Sequence, residues 1–302
     1  MNFLPSPLES LDLTSFGVNN EIYIKRDDLI HPIVSGNKWR KLEQNISFYK
    51  SSNFTGIISL GGAYSSHILS LSFLCYKQNI PCVIIIRGEE PKEKNEILLQ
   101  CISFGARLHF CTRKQYSNPD WVNSFINHSF PSFFHIPEGG ANKYGINGCK
   151  NIIKELNSDF DEIYCEVGTG ATLAGISSAL NKNQIVKGIV VLKGAIEIEK
   201  EITSNYSTLM GRPLTNNFTL IHDYHLGGYA KFSQKLVDFM RTFQAKTGIK
   251  TDPIYSGKLF FGLVDHLKSN PELSRKKIIA LHSGGLSGIS GFEKRYGIKI
   301  FN

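Results

Sequence analysis

The sequence predicts an α/β protein with open parallel β-sheets. Along its 302 residues, short runs rich in β-branched side chains alternate with longer stretches of helical periodicity almost to the end of the chain. Strands that alternate with helices are joined by crossover connections, which place the strands parallel. The length exceeds the ~100–200 residues usual for one domain, and no linker marks a boundary. Two domains and one large α/β unit therefore both remain open.

The elements follow one another in a regular order. Strands are predicted at 21–25, 56–60, 82–87, 107–111, 133–137, 162–167, 187–192, 219–223 and 277–282. Helices are predicted at 38–49, 66–78, 94–104, 144–156, 172–180 and 230–246. Glycine-bearing turns follow four of the strands: GGAYSSH (61–67), EGGAN (138–142), GTGAT (168–172) and HSGGLSG (282–288). Because ligands of open parallel sheets bind at the carboxyl ends of strands, these turns predict a ligand that the backbone approaches closely.

The composition argues against several other classes of protein. The net charge is +8, from 34 basic and 26 acidic residues, but the basic residues are spread out, which indicates a Lys-rich surface and no nucleic-acid partner. Six cysteines form no C-x-x-C pair, as expected for reduced thiols in the cytoplasm. There is no signal-peptide pattern and no apolar stretch near the ~18 residues of a membrane span. The histidine spacing gives no metal site.

The turn 168–172 is a candidate phosphate site. Backbone N–H groups in a glycine-rich turn before a helix bind phosphate. The turn lacks the Walker pattern, and both its glycine spacing and Lys193 after the next strand disagree with a dinucleotide fingerprint. A site for a single phosphate and an ordinary tight turn both remain open.

Lys38 and two tyrosines are weaker candidates when each is considered alone. Lys38 follows a Gly-Asn turn, and a nucleophilic role would require burial or a nearby cation such as Arg40 or Lys41. The alternative is an ordinary solvated lysine. Tyr229 and Tyr255 each begin a helix-like stretch and could equally be packing residues. A serine hydrolase is not predicted, because the chain around Ser65 lacks the G-x-S-x-G pattern.

Four motifs taken together resemble one enzyme family. SGNKWRKLE, GGAYSSH, EVGTGATLAG and DPIYSGK occur in this order over most of the chain, as in the pyridoxal-phosphate enzymes of the 1-aminocyclopropane-1-carboxylate (ACC) deaminase and D-cysteine desulfhydrase family. The resemblance implies the fold-type-II (tryptophan synthase β-like) architecture, with pyridoxal 5'-phosphate between two open parallel-sheet domains. By this analogy a small domain, 44–138, is inserted into a large domain formed by 1–43 and 139–302. A homodimer acting on a small amino acid is also implied.

The resemblance assigns roles to individual residues. Lys38 would bind the cofactor covalently, and Ser65, Tyr229 and Tyr255 would act in catalysis. Ser65, Ser66, His67 and the two tyrosines would contact the substrate. The other residues expected to contact the cofactor are Asn37, Ser66, Gly168, Thr169, Gly170, Ala171, Thr172, Ser256 and His282.

Two departures from the family pattern bear on the reaction. Ser66 replaces an asparagine expected at the cofactor's phenolic oxygen, and Ser256 replaces the glutamate that deaminases place at the pyridine nitrogen. A serine leaves that nitrogen neutral and makes the ring a weaker electron sink. We therefore expect β-elimination of D-cysteine to pyruvate, sulfide and ammonia rather than opening of the ACC ring to 2-oxobutanoate and ammonia. A cofactor-binding protein with little catalysis is the remaining alternative.

Overall fold

The computed structural model describes residues 4–301 and contains two β-sheets. The strands are β1 (Leu8–Ser10), β2 (Glu21–Lys25), β3 (Gly56–Gly62), β4 (Cys82–Arg87), β5 (Arg107–Cys111), β6 (Phe133–Ile136), β7 (Glu162–Val167), β8 (Ile185–Val190), β9 (Phe218–Ile221) and β10 (Lys277–Leu281). The helices are α1 (Asn37–Lys50), α2 (Ser66–Lys77), α3 (Glu96–Ser103), α4 (Arg113–Tyr116), α5 (Pro119–Ser129), α6 (Lys143–Cys149), α7 (Asn151–Lys154), α8 (Ala171–Ser177), α9 (Ile198–Met210), α10 (Gln234–Thr247), α11 (Ser256–Ser269) and α12 (Ile289–Tyr296). None of the helices in 4–301 is both long and apolar enough to cross a membrane.

Both sheets are open and almost entirely parallel, which confirms the predicted fold class. The larger sheet has the order β1-β2-β10-β7-β8-β9 and the smaller one β5-β4-β3-β6. Only β1 is antiparallel, pairing with β2 at the edge of the larger sheet. It was not predicted, because a strand of three residues has too little alternation to be recognised.

The chain enters the smaller sheet and then returns to the larger one. All four strands of the smaller sheet lie inside the segment 44–138, whereas the larger sheet takes strands from both flanking segments. Helix α1 continues without a break across the expected boundary at residues 43 and 44. The domain limits themselves stay a prediction.

The predicted helix 144–156 is divided into α6 and α7. Two glycines in α6 weaken this stretch as a helix and let α6 pack closely on its neighbours. A Cβ on Gly145 would lie 1.9 Å from the Gly140 carbonyl oxygen, and one on Gly148 would lie 1.8 Å from the Arg40 carbonyl oxygen. Glycine weakens a helix but allows close backbone approach.

A buried ion cluster fixes helix α1 against the larger sheet. The Arg40 guanidinium donates to Asp27 Oδ1 at 2.8 Å and also pairs with Glu155, which accepts from Lys25 Nζ at 2.8 Å. Arg40 and Asp27 are fully buried, so each charge depends on its partner. This cluster sets the start of α1, where the lysine predicted to bind the cofactor lies.

Candidate active site

A cavity of about 470 Å³ lies between the carboxyl ends of the two sheets. Most of the predicted site residues line it: Asn37, Lys38, Ser65, Ser66, His67, Gly168, Thr169, Gly170, Thr172, Tyr229 and Tyr255. Arg87, Glu166 and Asp252 also line the cavity and were not predicted. Lys41 was considered only as a cation beside Lys38, and Glu138 and Ser283 belong to the glycine-bearing turns predicted to approach the ligand. Residues from segments far apart in the chain therefore meet in one place, as expected where glycine-rich turns follow parallel strands.

Lys38 lies in the first turn of α1, directly against the loop after β10. Gly36 makes this approach possible: its φ is +64°, and a Cβ there would lie 1.6 Å from the Ser283 carbonyl oxygen. The same oxygen accepts a hydrogen bond from the Asn37 amide at 3.2 Å. The Lys38 ammonium donates to Asn37 Oδ1 at 2.7 Å and borders the cavity.

The charge around Lys38 favours a neutral amine. Burial and the neighbouring cation Lys41 together lower the pKa of Lys38 to about 8. Lys41 is only 4% exposed and lines the same cavity, and burial lowers its pKa too. Arg40 is the other cation considered from the sequence, and its guanidinium is held in the ion cluster instead. Lys38 thus has both the burial and the nearby cation that a nucleophilic lysine requires.

The turn 168–170 presents free backbone donors to the cavity. Within residues 4–301, the amides of Gly168, Thr169 and Gly170 donate no backbone hydrogen bond. Gly170 has φ +78°, and a Cβ there would lie 2.3 Å from Ile202, so this turn requires glycine. The turn predicted to bind phosphate therefore has unpaired N–H groups of the kind that can bind an anion, with the Lys41 ammonium in the same cavity.

Glu166 adds a buried carboxylate that sequence reasoning missed. Its Oε1 accepts from the Ser283 hydroxyl, and its Oε2 is buried with no hydrogen-bond partner in the described part of the chain. Burial raises the pKa of Glu166 to about 7, although the Ser283 hydrogen bond opposes the shift. A signal was present in the sequence, because Glu166 directly follows the apolar run 163–165 of β7, where an acidic side chain is unusual.

The small-domain wall begins at the N-terminus of α2. Ser65 is the N-cap, and its Oγ accepts from the His67 amide at 3.2 Å. The His67 ring is buried, and burial with the Lys38 and Lys41 charges lowers its pKa to about 3. Ser59 Oγ donates to the Ile136 carbonyl and so accepts from His67 Nε2 at 2.8 Å, which assigns the proton to Nε2. His67 Nδ1 remains a buried acceptor without a partner in residues 4–301.

The two predicted tyrosines lie together on the other wall. Their ring centroids are 6.1 Å apart in an edge-to-face arrangement, and a Cβ on Gly168 would lie 3.4 Å from the Tyr255 ring. Burial, Tyr229 and Asp252 raise the pKa of Tyr255 well above its usual value, so its hydroxyl stays protonated.

A buried lysine supports the loop that carries Tyr229. Lys258 Nζ donates to the carbonyl oxygens of His225 at 2.8 Å and Gly228 at 2.6 Å. The sequence contains this residue in DPIYSGK but offers no sign of the loop it would hold, which lies about 30 residues earlier along the chain.

Three predicted site residues lie behind the cavity wall. Ala171 is buried in the first turn of α8, and His282 is buried with Nε2 2.7 Å from the Lys250 carbonyl oxygen. Ser256 is fully buried, and its hydroxyl donates to Asp252 Oδ2 at 2.7 Å. None of these three side chains is among those that line the cavity.

The arrangement suits pyridoxal 5'-phosphate in three ways. Unpaired amides can hold a phosphate, and the half-buried amine of Lys38, whose pKa is lowered, can attack an aldehyde. Hydroxyl groups on both walls line the same cavity.

Comparison with known proteins agrees with this assignment. The family model of the pyridoxal-phosphate dependent enzymes matches residues 1–284. A candidate ACC deaminase of Thermotoga maritima is 29% identical, covering 98% of each chain. The mitochondrial bifunctional D-cysteine desulfhydrase/ACC deaminase of Arabidopsis thaliana is 25% identical, covering 95% of this chain and 77% of its own. The solved structure of an ACC deaminase homologue is 28% identical with a TM-score of 0.81, covering 96% of this chain and 92% of its own.

These findings confirm the fold-type-II architecture and the expected cofactor, pyridoxal 5'-phosphate. The chain belongs to the pyridoxal-phosphate dependent enzyme family.

Proposed function

We propose that this enzyme catalyses β-elimination and deamination of a small amino acid, with D-cysteine as the preferred substrate. The products are pyruvate, sulfide and ammonia. The observation that carries the choice of substrate is the environment of Ser256, whose neighbouring carboxylate, Asp252, already accepts four hydrogen bonds. The names of relatives, which include both D-cysteine desulfhydrases and ACC deaminases, support the reaction class.

Different residues of the cavity would bind different parts of the cofactor. The amides of Gly168, Thr169 and Gly170, with the Lys41 ammonium, would hold the phosphate. Lys38 would bind the aldehyde carbon covalently, and Asn37 and Ser66 lie in the same cavity near that end. When bound, the cofactor withdraws electrons from the α-carbon of the attached amino acid.

The substrate carboxylate would bind at the N-terminus of α2, where the amides of Ser65 and its neighbours and the helix dipole favour an anion.

Lys38 and the hydroxyl groups of the cavity would accept and donate the protons of the reaction. Lys38, with a pKa of about 8, would accept the α-proton at Nζ after the substrate displaces it. Tyr255 stays protonated and can donate from its hydroxyl toward the leaving sulfur, with Ser65 and Tyr229 beside the same space.

The proposed preference for a thiol leaving group rests on the hydrogen bonds that Asp252 accepts. This carboxylate accepts at Oδ1 from the amides of Ile254 and Tyr255, each at 2.8 Å, and at Oδ2 from the Ser256 amide at 2.9 Å and hydroxyl at 2.7 Å. Four donors fill the acceptor positions of one carboxylate. Asp252 is therefore not free to stabilise a protonated pyridine, and a weaker electron sink suits loss of a β-thiol better than opening of a ring.

The test measures keto acid release from a panel of small D- and L-amino acids and ACC. Pyruvate from D-cysteine, with a much lower kcat/KM for 2-oxobutanoate from ACC, is the expected result. Ser256→Glu should shift the ratio toward ACC, whereas the uncharged control Ser256→Gln should not. A higher kcat/KM with ACC in the unmodified enzyme would overturn the substrate assignment.

ACC deamination is the second candidate, and a name among the relatives favours it: the Thermotoga maritima protein, at 29% identity, is named for this activity. A homologue that binds the cofactor with little catalysis is the third, because Ser66 borders the cavity with a side chain shorter than asparagine. Absorbance of the lysine-bound cofactor without turnover of any compound in the panel would support it over both enzymes.

A further inference from the structure

Arg87 places an uncompensated positive charge at the cavity. It is the last residue of β4, at the carboxyl edge of the smaller sheet, and it lines the cavity from the small-domain wall. Across residues 4–301 it takes part in none of the ion pairs. An arginine without a carboxylate partner, facing a ligand cavity, has its donors available for a ligand anion.

The guanidinium is held in position from two sides. Its Cζ atom lies 5.5 Å from the centroid of the Tyr116 ring, within cation–π distance. On the other side it lies against Gly62 at the end of β3, where a Cβ would be 3.3 Å from Nη2. A side chain fixed in this way loses less conformational entropy when it binds a ligand.

The other anions of the reaction already have binding partners. The phosphate is assigned to the turn 168–170 with Lys41, and the substrate α-carboxylate to the N-terminus of α2. Arg87 thus has donors left for one more anion. Glu138 lines the same cavity, and its negative charge repels an anion that does not contact the guanidinium directly.

We propose that Arg87 binds an anionic group on the substrate's β-substituent, so that, beside D-cysteine, the enzyme accepts small amino acids whose leaving group carries a carboxylate, sulfonate or phosphate in preference to those with a neutral leaving group. This inference rests on the proposed β-elimination and refines its substrate class. In the step itself, the Cα–H bond breaks and its proton goes to Lys38 Nζ, the electron pair it leaves forms the second Cα–Cβ bond, and the bond from Cβ to the leaving atom breaks with the leaving group taking that bond's electron pair. The remaining carbon skeleton is hydrolysed to pyruvate and ammonia.

The test compares O-phosphoserine with O-acetylserine, each as both enantiomers, because elimination of either gives the same pyruvate. We expect a higher kcat/KM for the phosphate ester. Arg87→Gln should lower the phosphate-to-acetate ratio of kcat/KM by about ten- to a hundredfold, mainly through KM, which is the effect of losing hydrogen bonds to a charged group. Arg87→Lys should keep part of the preference.

Arg113 provides the matched control. It lines the neighbouring groove on the same domain but not the cavity, so Arg113→Gln should leave the ratio unchanged. Because Arg87 is exposed, losing its contact with Tyr116 should lower the unfolding temperature of its variants only slightly.

The outcomes separate the two proposals. An unchanged ratio in Arg87→Gln, or an equal loss with both esters, overturns the inference and leaves the proposed function intact. Turnover of D-cysteine without turnover of, or inhibition by, O-phosphoserine also overturns it. If no compound, D-cysteine included, releases keto acid, the proposed function fails and the inference fails with it.

Discussion

The two walls of the cavity are built differently. On the large-domain side, the turn 168–170 is fixed by a glycine that has no room for a side chain, and Asp252 and Glu166 are buried. On the small-domain side, Arg87 and Glu138 are exposed, and Ser65 caps a helix that begins at the cavity. We therefore propose that the two walls have different roles: the closely packed wall holds a cofactor of constant shape, and the more open, charged wall selects the substrate.

The first test of the difference between the walls adds a side chain to the closely packed wall. Gly170→Ala should lower the free energy of unfolding by roughly 2–4 kcal/mol, because a positive φ and a contact with Ile202 add strain and overpacking. Affinity for pyridoxal phosphate should fall as well. Urea unfolding of the apoprotein and cofactor titration measure the two effects.

Gly211→Ala is the matched control for that change. Gly211 also has a positive φ, +66°, but a Cβ there would meet nothing within 4 Å. It should lose only about 1–2 kcal/mol and bind the cofactor normally. Equal losses of stability and of cofactor affinity in the two variants would show that close packing at Gly170 has no particular role in binding the cofactor.

Removing the support of the Tyr229 loop is the second test. Lys258→Met deletes two hydrogen bonds from a buried ammonium to the loop carbonyls and should displace Tyr229. We expect kcat to fall by about ten- to a hundredfold, since small displacements of catalytic groups have effects of this size. The cofactor absorbance should stay unchanged, and its loss would contradict a role confined to the tyrosine.

A helix cap on the open wall gives a smaller effect. Ser65→Ala removes the acceptor of the His67 amide and should destabilise the protein by about 1 kcal/mol. Asn118→Ala removes the N-cap of α5, away from the cavity, and should lose a similar amount. Only Ser65→Ala should also lower kcat/KM. A loss of activity in proportion to stability in both variants would assign Ser65 a purely structural role.

The smallest expected effect concerns the pH dependence of cofactor binding. The covalent reaction requires neutral Lys38, so its rate in the apoprotein should rise as pH increases through about 8. Lys41 contributes to the lowered pKa, and removing its charge in Lys41→Met raises the pKa of Lys38 and moves the rise to higher pH. Stopped-flow absorbance measures both profiles. A shift to lower pH would contradict the assigned charge interaction.

How well the sequence predicted the site depends on whether the signal is local or arises from the tertiary fold. The turn 168–172 and Lys38 could be predicted because local residue types determine a glycine turn and a helix start. Arg87 and Lys258 could not, because their roles depend on Tyr116 and on the loop at 225–228, which only the tertiary fold brings near. Ser256 and His282 were predicted to contact the cofactor but lie behind the cavity wall, because the direction of their side chains depends on packing that no motif specifies.

The central claim is that Lys38 is the residue that binds the cofactor covalently. Lys41 tests this claim sharply, because it is a second lysine of lowered pKa on the same helix and lines the same cavity. The most direct measurement is borohydride reduction of the holoenzyme followed by peptide mass spectrometry. We expect the added mass of the reduced cofactor on Lys38 alone. A label on Lys41 or any other lysine, or no label on the purified holoenzyme, would contradict it.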